Sequence, residues 1–436
     1  MNSLISKLLS PALLATFLCT ASADWHQWRG PSLNGSAAAS AKPPLSWSAI
    51  ENVRWKLAIP GAGSGTPVIT GNNLFVVTAI NTGKTPRSKD QQPGPRSEQA
   101  PDTLHQFKLL CVNRSTGKIR WDQTLAELVP HSGHHKDHFY ASASPITDGK
   151  LVWAHFGSRG TFCLTIDGKP VWSRADLGLM QTRGGFGDGS SPALHGDTLV
   201  IPWDQETGSY IVALDKNTGK TLWKQSREEE PTSWATPLII EHEGKGLVIQ
   251  SGHKFLRAYD LKSGKVIWKA SGQTTRPIPT PVIHKGNVIV ASGHRGAFMG
   301  AYQLAGAKGD ITGSDHELWT LTRNTPDVPS LLISNNRLYF TSRRDGIISC
   351  ANPHSSELHY GRQRIPGLRE VYASPVAANG HVFITDRQGV TVVIKDADNF
   401  EVVATNELGE PMDASPVIIG DQLYLRAAKH LYCLGE

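Results

Sequence analysis

The sequence predicts an all-β protein that folds as a single eight-bladed β-propeller of four-stranded antiparallel blades. Three observations in its 436 residues predict this fold. One short phrase recurs along the chain, a second phrase ending in tryptophan follows many of its copies, and the two ends of the chain each carry part of one unit. Such self-similarity is typical of repeat proteins in which each unit buries its apolar face against its neighbours.

The first phrase is a small residue followed by proline, an apolar pair, a polar turn and an apolar strand. Where it is most regular, successive prolines are separated by 47, 45 and 44 residues, a period typical of propeller blades. A degenerate copy lies at Pro329-Ser330. The clear copies are Thr66-Pro67, Ser144-Pro145, Ser191-Pro192, Thr236-Pro237, Thr280-Pro281, Ser374-Pro375 and Ser415-Pro416.

The second phrase predicts a hairpin followed by an outer strand. In Asp215-Lys-Asn-Thr-Gly219-Lys220, Asp opens a tight turn and Gly takes a positive φ. The tryptophan after the turn offers a large, stiff apolar plate that can dock one blade on the next. We predict this structural blade-docking role for Trp55, Trp121, Trp172, Trp223, Trp268 and Trp319.

The two ends of the chain predict how the ring closes. The eighth unit begins at Ser415 and stops after its third strand, whereas residues 52–57 form a fourth strand without a unit. Joining them completes the last blade and leaves no open sheet edge. Residues 24–436 are therefore one propeller, with a lead-in at 24–50 and a flexible insertion in the first blade at 82–104. Seven blades is the alternative if the unit near Pro329 is not a blade.

Residues 1–23 have the pattern of a secretory signal peptide. Lys7 supplies the positive region, residues 8–19 are the apolar stretch, and Ala21 and Ala23 place small residues before the cleavage site. Leu18 precedes Cys19 where a lipoprotein needs a small residue, so we expect a protein that is not lipidated. The expected location is the periplasm or the medium, with no transmembrane segment.

Charge and cysteine content exclude several classes. Lys and Arg number 44 against 38 Asp and Glu, a net charge of +6 with no block of like charge. This balance, together with export, argues against a nucleic-acid partner. The 5 cysteines are too few and too scattered for a disulfide scaffold. Four of them, Cys111, Cys163, Cys350 and Cys433, fall on predicted third strands as small buried residues.

One loop is rich in histidine. His131, His134, His135 and His138 lie within eight residues, with Asp137 among them. Neutral imidazole is a good ligand for Zn²⁺ and Cu²⁺, so these four histidines are a predicted metal site. Their spacing matches no structural zinc pattern, and the alternative is a solvated loop that happens to contain many histidines.

A second loop, residues 183–190, is rich in glycine and begins with Arg183. Its backbone N–H groups could face an anion, with the guanidinium adding charge. The loop lacks the Lys-Ser/Thr of a phosphate loop, so nucleotide binding is not expected. The alternative is a flexible connection between blades.

A third set of polar and aromatic residues lies near strand ends, where propellers border their axial channel. Its excess of arginine predicts an anionic ligand such as a carboxylate or a sulfated sugar. The alternative for each residue is a solvated turn position, and carboxylates such as Asp204 and Asp345 could otherwise serve a hydrolase or lyase. The set is His155, Arg159, Trp203, Asp204, His253, Arg276, His294, Arg295, Arg343, Arg344, Asp345, Tyr372 and Arg387.

The Asp-x-x-Thr-Gly-Lys-x-x-Trp units resemble the tryptophan-docked blades of the quinoprotein-like propellers. This family includes pyrroloquinoline-quinone alcohol dehydrogenases and the propeller subunit of the outer-membrane barrel-assembly machinery. The opening Asp24-Trp-His-Gln-Trp-Arg-Gly-Pro31 is similar to that of exported bacterial members of unknown activity. The resemblance covers the chain after residue 23 and implies the fold more strongly than any chemistry.

This sequence departs from the dehydrogenases of the family at the residues that carry their enzymatic function. The dehydrogenases of this family typically carry two adjacent cysteines beside the quinone, and no two cysteines are adjacent here. No unit matches the arrangement of acidic and amide residues that holds calcium over the quinone. The leading hypothesis is therefore a binding or scaffolding module for an envelope protein, an anionic glycan or a small ligand, without a cofactor. The alternative is an oxidoreductase that uses pyrroloquinoline quinone and calcium on alcohols or sugars.

Overall fold

The computed structural model describes residues 24–92 and 94–436, so the signal peptide predicted for residues 1–23 lies outside the described residues. The described chain forms 33 strands in eight sheets, which confirms the predicted eight-bladed propeller. The first strand, β1 (Val53–Ala58), belongs to the last blade. None of the described helices is long and apolar enough to cross a membrane.

Blades 1 to 4 follow one another along the chain, each with its strands in sequential antiparallel order from the axis outward. Blade 1 contains β2 (Val68–Thr70), β3 (Asn73–Asn81), β4 (His105–Asn113) and β5 (Ile119–Leu128). Blade 2 contains β6 (Ile146–Thr147), β7 (Leu151–His155), β8 (Thr161–Thr165) and β9 (Pro170–Arg174). Blade 3 contains β10 (Ala193–His195), β11 (Thr198–Trp203), β12 (Tyr210–Asp215) and β13 (Thr221–Ser226). Blade 4 contains β14 (Leu238–His242), β15 (Lys245–Gln250), β16 (Leu256–Asp260) and β17 (Val266–Ala270).

Blades 5 to 8 repeat the pattern, with one added strand and one borrowed strand. Blade 5 contains β18 (Val282–His284), β19 (Asn287–Ser292), β20 (Phe298–Gln303) and β22 (Glu317–Leu321), while β21 (Gly309–Asp310) pairs in parallel with β17 of blade 4. Blade 6 contains β23 (Leu332–Ser334), β24 (Arg337–Thr341), β25 (Ile347–Ala351) and β26 (Leu358–Arg364). Blade 7 contains β27 (Val376–Ala378), β28 (His381–Thr385), β29 (Val390–Lys395) and β30 (Val402–Glu407). Blade 8 contains β31 (Val417–Ile419), β32 (Gln422–Arg426) and β33 (His430–Leu434), with β1 as its fourth strand.

The ring closes as the two ends of the sequence predict. Strand β1 pairs antiparallel with β33, with Trp55 opposite Cys433 and Ala58 opposite His430. The unit that follows Pro329 forms blade 6, so the seven-bladed alternative is wrong. Short 3₁₀ turns are the helical elements of the described chain, at Lys89–Gln91, Gly157–Arg159 and Arg183–Gly185.

The core lies between adjacent blades. The second and third strands are almost wholly buried because both of their faces pack against neighbouring sheets, whereas the outer strands alternate between exposed and buried positions. Cys111, Cys163, Cys350 and Cys433 are buried free thiols on the third strands of four different blades. Burial raises the pKa of the Cys111 thiol to about 12, as expected for a cysteine that packs rather than reacts.

Tryptophans on the outer strands contact the turn of the following blade. Trp172 Nε1 donates a hydrogen bond to the Lys216 carbonyl at 2.8 Å, and its ring covers Gly219. Gly219 has a φ of +70°, and a Cβ there would lie 2.7 Å from the ring, so both the turn and the tryptophan require glycine. The same donor contact joins Trp55 to Arg114, Trp121 to Ile166, Trp223 to Leu261 and Trp319 to Pro353.

Trp268 departs from this pattern. It is buried, yet its Nε1 has no hydrogen-bond partner among the described residues. The following blade has no Asp-x-x-x-Gly turn at this point and places β21 beside the tryptophan instead, with Gly309 opposite Trp268. The hydrogen bond from the outer tryptophan to the next blade is therefore missing where blade 5 lacks the repeated turn.

Candidate functional site

A belt of hydroxyl groups surrounds the axis of the propeller. It consists of the serine or threonine that precedes the proline of each unit, and Ser330 fills this place in the degenerate unit. The backbone N–H of one such residue donates to the hydroxyl of the next blade. Seven bonds of this kind run Thr66 to Ser144, Ser144 to Ser191, Ser191 to Thr236, Thr280 to Ser330, Ser330 to Ser374, Ser374 to Ser415 and Ser415 to Thr66, at 2.9–3.1 Å.

The belt explains why the repeated phrase needs Ser or Thr rather than any small residue. Each residue before a proline is held in an extended conformation, so its N–H faces across the blade boundary rather than into a ladder. A hydroxyl is small enough to fit at the crowded axis and satisfies that donor. Thr280 Oγ1 is the exception, since it has no hydrogen-bond partner among the described residues.

One end of the channel is closed by the plug segment, which we define as residues 25–36. Trp25 pairs with Ile69 of β2, and the His26 carbonyl accepts a hydrogen bond from Thr147 of β6. Arg29 is buried and donates to the carbonyls of Leu331 at 2.7 Å and Pro375 at 3.0 Å. The segment thus contacts innermost strands or their starts on opposite sides of the ring and must cross its axis.

The plug also explains the opening motif of residues 24–31. Arg29 makes its bonds to carbonyl oxygens, and burial lowers its pKa to about 9. Gly35 approaches the same guanidinium so closely that a Cβ there would lie 2.3 Å from it. These residues are therefore a structural seal across the ring.

The other end opens into a cavity of about 300 Å³, which we call the funnel. Trp28 of the plug forms part of its floor, the hydroxyl belt surrounds it, and the loops that connect the blades form its walls. This volume lies within the range of small-molecule sites. Its aromatic and titratable lining residues are Trp28, His135, Asp137, His138, Phe186, Trp234, Arg276, His294, Asp327, Arg344, Tyr372 and Asp413.

Arg387 links three of the loops in one wall of the funnel. Its guanidinium contacts Asp137 at 3.0 Å, Glu370 at 3.2 Å and Asp413 at 2.8 Å. It also lies over the Tyr372 ring at 4.2 Å. Burial alone would raise the pKa of Asp137, but the hydrogen bond and charge of Arg387 hold it below its usual value. Burial instead raises the pKa of Asp413, although Arg387 opposes this shift. All three carboxylates are paired with Arg387.

The four predicted metal-ligating histidines do not converge on one point. His131 Nε2 donates to the Met180 carbonyl at 2.9 Å, and His134 Nδ1 contacts the His135 carbonyl at 2.8 Å. His138 contacts the Asp188 carbonyl at 2.9 Å, while His135 lies edge-on to Phe186. In residues 24–92 and 94–436, no group of three or more His, Cys, Asp or Glu side chains is placed to hold a metal ion. The metal site stays a prediction that this placement does not favour.

Two imidazoles of this region predict an acid sensitivity. Burial lowers the pKa of His138 and of His155 to about 4 from an unfolded value of 6.5. The unfolded chain therefore binds more protons between these values, so stability is full above pH 6.5 and falls as the pH drops toward 4. We expect a loss of about 2 kcal/mol for each imidazole at pH 5. Urea denaturation at pH 7 and pH 5 measures it.

The control for this prediction is an exposed imidazole. His138→Gln and His155→Gln should each flatten the pH dependence of the unfolding free energy, whereas His354→Gln, at an exposed position, should leave it unchanged. An identical acid loss in all three variants would contradict the assignment.

The glycine-rich loop anchors the funnel wall rather than cradling an anion. Asp188 accepts hydrogen bonds from Ser158 N–H at 2.8 Å and from Arg159 at 2.6 Å. Phe186 and Gly189 line the funnel, and Arg183 lies 3.9 Å from Glu206. The loop therefore brings the Phe186 ring and the Gly189 backbone to the cavity, while Asp188 is bound by residues of blade 2.

The third predicted set divides into three places. Arg276, His294, Arg344 and Tyr372 line the funnel, and Arg387 contacts it through Asp137 and Asp413. Arg295, Arg343 and Asp345 are exposed and His253 is half-buried, whereas His155, Arg159, Trp203 and Asp204 are buried inside blades. Asp204 is bound by Arg227 in blade 3, far along the chain from Asp345 in blade 6, so these two carboxylates do not form a catalytic pair.

Four of the six arginines of this set are paired with carboxylates once the chain folds, whereas Arg295 and Arg343 are exposed and are not among the lining residues of the funnel. Arg159 pairs with Asp188, Arg276 with Glu206, Arg344 with Glu370, and Arg387 with three carboxylates. Because each neutralising partner lies on a different loop, no local pattern in the sequence indicates the pairing. The charge excess on which the anionic-ligand prediction rested is therefore absent from the lining.

The residues present do not fit the cofactor that the resemblance implies. Calcium over a quinone needs several oxygen donors at one point. The funnel carboxylates Asp137 and Asp413 are both engaged by Arg387, and Asp327 lies apart from that network. We therefore derive no redox step from this cavity.

Comparisons with known proteins agree on the fold. A family model described as outer membrane protein assembly factor BamB matches residues 207–436. A protein of that name from Francisella salina is 30% identical over 125 residues, which is 26% of this chain and 22% of the relative. A polyvinylalcohol dehydrogenase from a Pseudomonas species is 41% identical over 86 residues, 16% of this chain and 13% of the relative. The chain thus matches about a quarter or less of the length of these curated relatives.

Solved structures cover more of the chain at lower identity. BamB from Moraxella catarrhalis superposes with a TM-score of 0.58 at 12% identity, covering 88% of this chain and 99% of that one. A quinohemoprotein alcohol dehydrogenase from Pseudomonas putida HK5 gives a TM-score of 0.59 at 10% identity, covering 95% and 80%. Because BamB and a dehydrogenase fit equally well, this likeness supports the propeller fold alone.

Proposed function

The chain belongs to the family described as outer membrane protein assembly factor BamB, and from that premise we propose that it is a binding scaffold of the cell envelope. Its partner is a component of outer-membrane protein assembly, and its binding face is the one that carries the funnel. The signal peptide predicted at residues 1–23 would deliver it there.

The observation that carries this proposal is the asymmetry of the ring. One end is sealed by the plug segment, whose Arg29 is bonded to carbonyls of two blades. At the other end, loops from neighbouring blades surround an open cavity with aromatic rings in its wall. Loops held by a rigid scaffold are where binding residues concentrate, and exposed aromatic residues favour protein contacts.

Site-directed photo-crosslinking in the intact envelope tests the proposal. A photoreactive residue at Phe186, which is 38% exposed and lines the funnel, should give a crosslink to an outer-membrane assembly component identified by mass spectrometry. The same residue at Leu222, 51% exposed on the outer strand β13, should not, because it lies on the circumference.

Two results would contradict the proposal. One is the same set of crosslinks from Phe186 and Leu222. The other is natively purified protein that carries stoichiometric pyrroloquinoline quinone and calcium, which would replace the scaffold with the oxidoreductase alternative.

A further inference from the structure

Two buried polar atoms in one sector of the funnel have no hydrogen-bond partner among the described residues. They are Asp327 Oδ1 and Arg276 Nε, from the loops that lead into blades 6 and 5. Asp327 is only 5% exposed. Buried polar atoms are nearly always paired, so an acceptor and a donor left together in a cavity wall indicate a missing ligand.

Three arginines near this sector have a strained backbone. Arg276, Arg295 and Arg343 each have a φ between +54° and +56°, a region that costs a non-glycine residue about 1 kcal/mol or more. All three guanidiniums lie close enough to affect the titration of His294, which also faces Asp327. Strain of this kind persists mainly at binding sites, where it holds side chains in place.

The charges of this sector are of both signs, which favours a ligand without net charge. An ammonium group at Asp327 would meet the field of three arginines, and an anion at Arg276 would meet the buried Asp327 carboxylate. Burial lowers the pKa of His294, so this imidazole is neutral at pH 7 and adds no charge. A ligand that both donates to a carboxylate and accepts from a guanidinium, without net charge, satisfies both atoms. Hydroxyl groups do this.

We propose that the funnel is a binding site for a neutral, hydroxyl-rich ligand of the saccharide class, held by Asp327 and Arg276. Adjacent sugar hydroxyls donate to Asp327 Oδ1 and accept from Arg276 Nε. The apolar face of the sugar ring packs on the indoles that line the same cavity, Trp28 and Trp234. This inference goes beyond the scaffold function, because it concerns the interior of the funnel and holds for any partner on the rim.

Titration of the full-length protein with neutral disaccharides tests the site. The probes are cellobiose, maltose, lactose and xylobiose, with digalacturonic acid and choline as charged comparators, followed by calorimetry and saturation-transfer NMR. At least one neutral disaccharide should bind more tightly than both charged probes. Asp327→Asn should weaken its affinity at least about tenfold, because the hydroxyl then donates to a neutral amide oxygen instead of a carboxylate.

The control is Asp315→Asn, the same change at an exposed carboxylate of blade 5, which should leave the affinity unchanged. Arg276→Lys, which keeps the charge but removes Nε, should also weaken binding and serves if Asp327→Asn does not fold. Failure of every neutral disaccharide at millimolar concentration, tighter binding of a charged probe, or equal affinities in Asp327→Asn and Asp315→Asn would overturn the proposal. None of these results depends on whether the crosslinking partner is found.

Discussion

A chain that lacks residues 24–60 is expected to lose its cooperative thermal unfolding transition. The deletion removes β1, so β33 and the whole of blade 8 are left with an open edge. It also removes the buried side chains of Trp25, Trp47 and Ile59. At about 1.5–3 kcal/mol for each buried apolar side chain, this loss alone approaches the net stability of a typical protein.

Circular dichroism during heating measures this effect, and a peptide provides the control. Added in trans, a peptide of residues 24–60 should restore the transition, because the pairing of β1 with β33 is a non-covalent contact between the two ends of the chain. A shortened chain that melts as the full-length protein does would show that the ring is stable without its closing strand.

The sequence was sufficient for the fold because every blade repeats the same local signals. Turn residues, a proline and an outer tryptophan recur at fixed spacing, so eight weak predictions supported one another. Closure could also be predicted, since residues 52–57 match a strand that the last unit lacks. The flexible nature of residues 82–104 stays a prediction.

The site was less accessible to prediction because it depends on contacts between distant blades. Arg387 meets Asp137 across 250 residues of sequence, and no local pattern indicates that pairing. The His-rich loop looked like a ligand set, yet its imidazoles point to separate carbonyl groups. The residue before each proline was the signal that could have revealed the hydroxyl belt, since Ser or Thr stands there in all seven clear copies.

Asp327 was missed for a related reason. In the sequence it is one acidic residue in a turn beside a degenerate repeat. Only the folded ring brings it to the same cavity as Arg276, which lies in the loop before blade 5. The fold also leaves Asp327 Oδ1 without a hydrogen-bond partner among the described residues. A functional residue of a propeller is therefore recognised in the folded structure, as a buried polar atom that no neighbouring residue hydrogen-bonds.

Replacing Arg227 by Met is expected to cost about 3–5 kcal/mol of unfolding free energy. The Arg227 and Asp204 side chains are completely buried and meet in a two-pronged contact at 2.7 and 2.9 Å. Arg227 also donates to Tyr259, so it joins blades 3 and 4. Met fills similar space but leaves the Asp204 carboxylate in the core without its counter-ion, and that uncompensated charge is the source of the loss.

Urea denaturation of two further variants separates this cause from lost packing. Arg227→Met combined with Asp204→Leu removes both charges and should recover most of the stability, because a buried pair replaced by apolar groups is often neutral. Lys395→Met, at the exposed ion pair with Glu401, should change stability little. If the double variant were no more stable than Arg227→Met alone, the loss would come from packing. The buried charge would then not be what makes Arg227 necessary between these two blades.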